Sequence, residues 1–206
     1  MLWRGGIVSR IAAILLAAGE SRRMGNRNKL TLMVGGEPLL TRSARVLMAA
    51  RVAEVVVVLG HEAELAASLV ADLPVTTTVN AAYREGQMTS VHHGLAELHG
   101  TFDGVLIALA DQPRLEPEDV DHLIDAFDER QGRSILVPTY EGQRGNPILL
   151  DWRHRDAILA GERNLGCRRL IERCPEEVLA VPMANDHVVV DLDTPADLQR
   201  LEEQKR

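Results

Sequence analysis

The sequence predicts an α/β fold in which a mainly parallel sheet lies between two layers of helices. Short apolar runs alternate with longer segments that carry apolar residues at helical spacing, and several runs end at Gly, Asn or Asp. Strands of a parallel sheet are apolar throughout because helices cover both of its faces. The 206 residues contain no repeat and no linker-like stretch, and this length can bury one substantial core. We therefore expect an N-terminal extension, residues 1–10, and a single three-layer α/β/α domain over residues 11–206.

The elements follow from these patterns in chain order. The first strand occupies the apolar run that begins at Ile11 and is bounded by Gly19. Further strands are predicted at residues 55–59, 75–79, 105–110, 134–138, 178–182 and 188–190, with a turn and a short strand within 142–150. Helices are predicted at residues 38–51, 62–71, 90–98, 116–129, 156–160 and 166–173. The last helix has Thr194 as its cap and Pro195 at its first position, which is a strong helix start.

The composition limits the classes of function. Apolar residues make up 46% of the chain, and the net charge of −7 argues against general nucleic-acid binding. On one helix, Cys167 and Cys174 would lie about 10 Å apart along the axis, too far for a disulfide. Arg4 and Arg10 precede the first apolar run as in a signal peptide, but that run continues directly into a glycine loop. No run of about twenty apolar residues is present, so we expect a cytoplasmic protein without a membrane or nucleic-acid partner.

The loop after the first strand is predicted to bind an anion. Between Glu20 and Lys29 the chain has four basic residues and one acid, although the protein as a whole is acidic. Gly19 and Gly25 permit a close approach of a ligand to the backbone. The loop is neither a P-loop, which needs G-x-x-x-x-G-K-[ST], nor the dinucleotide fingerprint G-x-G-x-x-G. An exposed basic turn after a strand is the alternative that these residues alone leave open.

The residues Leu16-Ala17-Ala18-Gly19-x-Ser21-x-Arg23-Met24-Gly25, followed by Asn28-Lys29-Leu30, resemble the signature loop of the MobA-like nucleotidyltransferases. The resemblance implies a Rossmann-like nucleotidyltransferase fold of the nucleotide-diphospho-sugar transferase type. It also implies transfer of a nucleoside monophosphate from an NTP, with Arg23, Lys29 and Asp111 as the catalytic residues. The nucleotide-binding residues that it implies are Leu16, Ala17, Ala18, Gly19, Ser21, Arg23, Gly25, Lys29, Asn80 and Ser90.

Three aspartates are candidate metal ligands. Asp111 directly follows a predicted buried strand, where a carboxylate faces the ligand edge of a parallel sheet, although turn capping is an alternative. The segment Leu109-Ala110-Asp111-Gln112-Pro113 resembles the Leu-x-Asp-Gln-Pro motif of the molybdenum cofactor cytidylyltransferase branch, which implies metal binding by Asp111. Asp191 and Asp193, before Thr194-Pro195, resemble that family's second acidic motif, with Asp193 favoured as the ligand. Carboxylates with substrate phosphates suit Mg²⁺, with Mn²⁺ as the alternative ion.

The acceptor side of the site is less well defined by the sequence. The resemblance implies that Gln112, Pro113 and Asn146 contact the acceptor. At residues 161–168 this chain has Gly-Glu-Arg-Asn-Leu-Gly-Cys-Arg where the branch has Gly-Asp-x-Gly-Ala-Arg, a departure in a segment that in the branch contributes to acceptor recognition. His92 and His93 are adjacent at the start of a predicted helix, so they point about 100° apart and are read as a solvated face.

The expected reaction is transfer of CMP from CTP to the terminal phosphate of a molybdopterin-type cofactor, with release of pyrophosphate. Ala17-Ala18-Gly19 resembles the cytidylyl-transferring type, whereas the guanylyl-transferring type has Leu-Ala-Gly-Gly. GTP as the donor and a sugar or polyol phosphate as the acceptor are alternatives. A different class of function would be a non-catalytic protein that delivers the cofactor to a molybdenum hydroxylase.

Overall fold

The computed structural model describes residues 9–25, 27–161 and 174–203. Its strands are β1 Ile11–Ala17, β2 Met33–Val34, β3 Glu37–Pro38, β4 Val52–Leu59, β5 Thr76–Val79, β6 Gly104–Leu109, β7 Ile135–Tyr140, β8 Gln143–Arg144, β9 Ile148–Asp151 and β10 Val178–Pro182. Its α-helices are α1 Leu39–Ala49, α2 Ala63–Ser68, α3 Gln87–Glu97, α4 Pro117–Asp128, α5 Arg155–Leu159 and α6 Pro195–Glu203. Within these residues, no helix is long and apolar enough to cross a membrane.

The main sheet has β1 at its centre. Its strand order is β10-β7-β9-β6-β1-β4-β5, with β8 beside β7, while β2 and β3 form a separate hairpin. β1 pairs in parallel with both β4 and β6, and β5 extends the parallel part of the sheet beyond β4. β9 lies antiparallel between β6 and β7. The prediction of a mainly parallel sheet is confirmed, with β8 and β9 as the antiparallel additions.

The core lies on both faces of this sheet, as the continuous apolar strands predict. Along β1, alternate residues from Ile11 to Ala17 pack with α1 and α4 on one face. Ala12, Ile14 and Leu16 pack with α3 on the other face. Helix α3 approaches β1 very closely, because a Cβ atom at Gly94 would lie 2.4 Å from Cγ2 of Ile14. The helix that carries Ser90 is therefore held directly against the strand that precedes the basic loop.

Several predicted elements differ from the structure, and one cannot be compared with it. Strand β4 begins at Val52, three residues before its predicted start, and helix α2 ends at Ser68, three residues before its predicted end. Helix α3 begins at Gln87, three residues before its predicted start. The predicted strand at 188–190 is wrong, because His187–Val189 is a 3₁₀ turn. The carbonyl of Val188 accepts hydrogen bonds from Gln112 Nε2 and the Asn146 amide, so it is not available to a strand ladder. The predicted helix at 166–173, Cys167 and most of the departure from the branch motif lie outside the described residues.

Candidate active site

The carboxyl ends of β1 and β6 and the start of α3 surround a cavity of about 290 Å³. Neighbouring parallel strands end at the same edge of a sheet, so segments that are far apart in sequence meet there. Seven of the predicted site residues line the cavity: Leu16, Ala17, Ala18, Gly19, Lys29, Ser90 and Asp111. The structure thus places the basic loop, the Ser90 helix and the Asp111 strand around one space, as the sequence predicts.

The basic loop folds back on itself so that its lysine returns to the cavity. Ser21 has a left-handed backbone, with φ of 52°, and its Oγ accepts a hydrogen bond from the Lys29 amide at 3.1 Å. Gly25 also lies in the left-handed region, with φ of 68°, a conformation that favours glycine. Asn28 caps the following turn by accepting a hydrogen bond from the Leu30 amide. Neither Ser21 nor Gly25 lines the cavity. Their left-handed backbone and the hydrogen bond of Ser21 show that they shape the loop instead.

The predicted charged residues meet in one cluster. Lys29 Nζ donates to Asp111 Oδ2 at 2.6 Å and to Asp193 Oδ1 at 3.0 Å. Arg23 reaches the other oxygen of Asp193, with its Nη2 2.7 Å from Oδ2. The side chains of Lys29, Asp111 and Asp193 are 14%, 19% and 24% exposed, whereas that of Arg23 is 70% exposed. Lys29 therefore joins the two aspartates in a partly buried position, and Arg23 contacts Asp193 from the solvent-exposed side of the cluster.

The segment that carries Asp191 and Asp193 is fixed to the end of β6. The Leu192 amide donates to the Asp111 carbonyl at 2.8 Å, which holds the two acidic motifs side by side. One turn earlier, the Val188 carbonyl accepts both Gln112 Nε2 and the Asn146 amide at 2.9 Å. Gln112 is 2% exposed, so the structure uses this predicted acceptor contact to hold the segment. These bonds connect Asp111, Asp193 and the residues around Asn146 into one framework.

Asn80 and Pro113, two further predicted site residues, do not line this cavity. Asn80 is fully buried, and its Nδ2 donates to Thr89 Oγ1 at 2.8 Å and Ser90 Oγ at 3.0 Å. Its Oδ1 accepts the Ala82 amide, so a direct contact with a nucleotide would require this amide to leave its partners. Pro113 lines two neighbouring cavities of about 430 and 190 Å³. In the described geometry, Asn80 lies behind the cavity wall and positions Ser90, which is part of that wall.

Five residues of the cavity lining are absent from the predicted site. Leu30, Leu109 and Ala110 lie within the motifs described above, whereas Tyr83 and Gln87 belong to no motif. Tyr83 and Gln87 come from the predicted loop at 80–90 and the first turn of α3, and both face the same cavity as Ser90. No chemical motif marks either residue in the sequence. The only signal that could have found them is their place between Asn80 and Ser90, in a loop predicted to lie at the ligand edge.

The carboxylates of this cluster fit a hard divalent cation. Asp111 Oδ1 is buried and has no hydrogen-bond partner among the described residues. A buried polar atom without a partner is rare and calls for an explanation, such as an ion. Asp111 and Asp193 both offer carboxylate oxygens, the ligand type that Mg²⁺ and Mn²⁺ accept. The donor set is therefore consistent with the metal ligands that the sequence predicts.

Electrostatic interactions within the cluster change two pKa values. Burial and then the negative charges of Asp111 and Asp193 raise the pKa of Asp191 to about 6, while Lys29 and Arg23 oppose the change. Burial lowers the pKa of Lys29, but the charges and hydrogen bonds of Asp111 and Asp193 outweigh burial, so the pKa rises above its ordinary value. Lys29 is accordingly cationic at neutral pH, and the carboxyl group of Asp191 loses its proton closer to neutrality than an ordinary aspartate does.

We expect Asp191→Asn to stabilise the EDTA-treated protein at pH 8 by about 1 kcal/mol. This value is reduced for solvent screening, because Asp191 as a whole is exposed although its carboxyl group lies against the other acids of the cluster. The folded-state pKa of about 6 lies above the ordinary 3.8, so ionised Asp191 disfavours the folded state. The advantage of the variant should grow as pH rises from about 4 to 6 and then level off. Thermal melts of both proteins from pH 4 to 8 test this, and an advantage that shrinks as pH rises would contradict it.

Comparisons with known proteins show what this chain is similar to. Residues 13–178 match the sequence profile of the family described as the MobA-like NTP transferase domain. The chain is 29% identical to nicotine blue oxidoreductase of Paenarthrobacter nicotinovorans, over 93% of this chain and 96% of that protein. It is 32% identical to the purine catabolism protein PucB of Bacillus subtilis, over 91% and 93% of the two chains. It is 25% identical to a "Probable molybdenum cofactor guanylyltransferase" of Natronomonas pharaonis, over 92% and 96%.

Solved structures share the whole fold. A nucleotidyl transferase from Methanothermobacter has a TM-score of 0.79 at 20% identity, covering 95% of this chain and 97% of that one. Rv0371c of Mycobacterium tuberculosis, in complex with manganese, has a TM-score of 0.72 at 23% identity, covering 95% and 99%. A CMP:2-keto-3-deoxy-manno-octonic acid synthetase complexed with CTP has a TM-score of 0.75 at 15% identity, covering 96% and 100%. At these identities the likenesses establish the fold, which is the one that the signature loop implies.

Proposed function

We propose that this chain, which belongs to the MobA-like NTP transferase family, transfers CMP from CTP to the terminal phosphate of a molybdopterin-type cofactor and releases pyrophosphate. The chain is a nucleotidyltransferase, and the donor base and the acceptor are the proposed parts. The observation that carries the proposal is the cluster of Lys29, Arg23, Asp111 and Asp193, of which Lys29 and Asp111 line the cavity. It combines cations for a triphosphate with carboxylates for a metal ion at one sheet edge.

The reaction needs positioning and charge neutralisation more than a protein base. A phosphate monoester has a second pKa of about 6, so the acceptor phosphate is already anionic and nucleophilic at neutral pH. Its oxygen would attack the α-phosphorus of the NTP, forming one P–O bond while the bond to the bridging oxygen breaks and pyrophosphate leaves. Lys29 and Arg23 would hold the triphosphate and stabilise the charge that develops on the leaving group.

The aspartates have a separate role in this proposal. Asp111 and Asp193 would hold Mg²⁺ or Mn²⁺, and the Rv0371c structure with manganese supports a divalent ion in this fold. The bound ion would supply positive charge that neutralises the phosphate oxygens. The Leu192 amide, bonded to the Asp111 carbonyl, keeps the two carboxylates beside each other during turnover. Asp191 lies next to this pair. Its raised pKa means that it holds a proton more readily than an ordinary aspartate, so we assign the metal to Asp111 and Asp193 and not to Asp191.

The choice of CTP depends on the cavity wall. Ala17 and Ala18 line the cavity, and the guanylyl-transferring type has glycine in place of Ala18, so the methyl group of Ala18 restricts the space for the base. The relative from Natronomonas is named for guanylyl transfer, which keeps GTP as the second candidate donor. The synthetase complexed with CTP supports a cytosine nucleotide in a cavity of this fold.

We expect pyrophosphate release with CTP to be at least about tenfold faster than with GTP when the molybdopterin acceptor and Mg²⁺ are present, since a modest difference in base fit is worth about 1–3 kcal/mol. The measurement is a coupled pyrophosphate assay with each of the four NTPs, with and without the acceptor. Omission of the acceptor is the control for simple NTP hydrolysis. Faster release with GTP would overturn the base assignment, and release with a sugar phosphate alone would overturn the acceptor. Absence of release with every NTP, together with reductase activity like that named for the Paenarthrobacter relative, would overturn the proposed transfer.

A further inference from the structure

We infer that Lys29 controls metal loading, because its ammonium group holds the same two carboxylates that a divalent cation requires. This inference rests on the proposed metal-binding role of Asp111 and Asp193. Lys29 would keep the cation affinity low until a triphosphate draws the ammonium group away. Lys29 would therefore act twice, first as the competitor of the cation and then as a ligand of the nucleotide.

The contacts of Lys29 support the first role. Its Nζ lies 2.6 Å from Asp111 Oδ2 and 3.0 Å from Asp193 Oδ1, so one ammonium group bridges both carboxylates. These two oxygens already accept charge-assisted hydrogen bonds from the ammonium group, so a cation that used them would share them with Lys29, whereas Asp111 Oδ1 has no partner among the described residues. Lys29 is 14% exposed, so solvent screens its charge weakly, and a nearby divalent cation would be repelled. The cation and the Lys29 ammonium group therefore compete for this position.

Its location in the cavity supports the second role. Lys29 lines the cavity beside Gly19 and Ser90, and its four-carbon side chain can turn within that space without a change in the backbone. A triphosphate in the cavity would offer the ammonium group new anionic partners and free the two aspartates. Nucleotide and cation would then each increase the affinity for the other, because such coupling between ligands is reciprocal.

The test measures Mn²⁺ binding to the full chain without nucleotide or acceptor, at pH 8, from the electron paramagnetic resonance signal of free Mn²⁺. We expect Lys29→Met to bind Mn²⁺ at least about tenfold more tightly than the wild type, because a partly buried charge interaction at this distance exceeds about 1.4 kcal/mol. Arg22→Met is the matched control. Arg22 lies in the same loop but pairs with Glu20 and is 78% exposed, so the Mn²⁺ affinity should stay within about twofold.

Two further variants decide the result. Lys29→Arg keeps the charge and should retain the weak Mn²⁺ binding of the wild type, whereas Lys29→Gln should behave as Lys29→Met does and replaces it if that variant does not fold. Adding Asp193→Asn to Lys29→Met should remove the gain, which would locate the bound ion at this cluster. Equal or weaker Mn²⁺ binding by the folded Lys29→Met or Lys29→Gln protein would overturn the inference. Because no nucleotide or acceptor is used, this outcome is independent of whether CTP is the donor.

Discussion

Asp111→Asn should lower the rate of pyrophosphate release by about 10³-fold or more, which corresponds to about 4 kcal/mol of transition-state stabilisation. The substitution keeps the shape of the side chain but removes its negative charge. Asp111 carries both the oxygen that pairs with Lys29 and the buried oxygen that has no partner among the described residues. An amide would weaken cation binding and would leave Lys29 with Asp193 as its remaining carboxylate. The measurement is pyrophosphate release at saturating CTP and acceptor.

The control for this prediction is Asp121→Asn, since Asp121 is an acid that pairs with Arg51 and has no place in the site. Its turnover should stay within about twofold of the wild type, because a surface ion pair contributes about 0–1 kcal/mol. Binding of the pterin acceptor by Asp111→Asn separates an enzyme from a carrier. A nucleotidyltransferase should lose turnover and keep acceptor binding, whereas unchanged turnover in this variant would contradict the role of Asp111.

The sequence predicts the ligand edge well because that edge depends on local patterns. Residues directly after buried parallel strands must lie at one edge of the sheet, so Gly19, Asn80 and Asp111 could be placed together before the structure was known. The motifs also predict that Asp193, 164 residues after Lys29, belongs to the same site. The sequence could not show that Lys29 bridges both aspartates, because that contact depends on how the loop folds back through Ser21.

The errors arise where long-range contacts override local preference. Residues 188–190 are all valine, which favours a strand, yet Val188 bonds to Gln112 and the Asn146 amide and forms a 3₁₀ turn. The antiparallel direction of β9 was not predicted, because an apolar run gives no information on the direction of its neighbours. The contact of Asn80 with the nucleotide stays a prediction, and what the sequence did not show is that its buried amide holds Thr89 and Ser90, a role that depends on tertiary packing.

Gly145→Ala should destabilise the protein by about 3 kcal/mol, through the cost of overpacking and the loss of one or two hydrogen bonds. A Cβ atom at this position would lie 2.3 Å from the Val188 carbonyl oxygen, and this neighbour is backbone that cannot rotate away. That carbonyl also accepts hydrogen bonds from Gln112 Nε2 and the Asn146 amide, so its displacement would weaken or break both of these bonds. We expect a fall in melting temperature of about 6–12 °C, measured by calorimetry.

The same variant should also impair catalysis, because Val188 precedes the segment that places Asp191 and Asp193 beside Asp111. Two controls separate the causes. Gly19→Ala should melt within about 2 °C of the wild type, because a Cβ atom there meets no atom within 4 Å. Asn146→Ala removes a side chain but keeps the backbone bond to Val188, so the stability should be retained and a raised KM for the acceptor alone would support its predicted contact. An unchanged melting temperature for Gly145→Ala would contradict the role of Val188 in holding the acidic segment. In that case the hydrogen bond from the Leu192 amide to the Asp111 carbonyl would be the contact that positions Asp191 and Asp193.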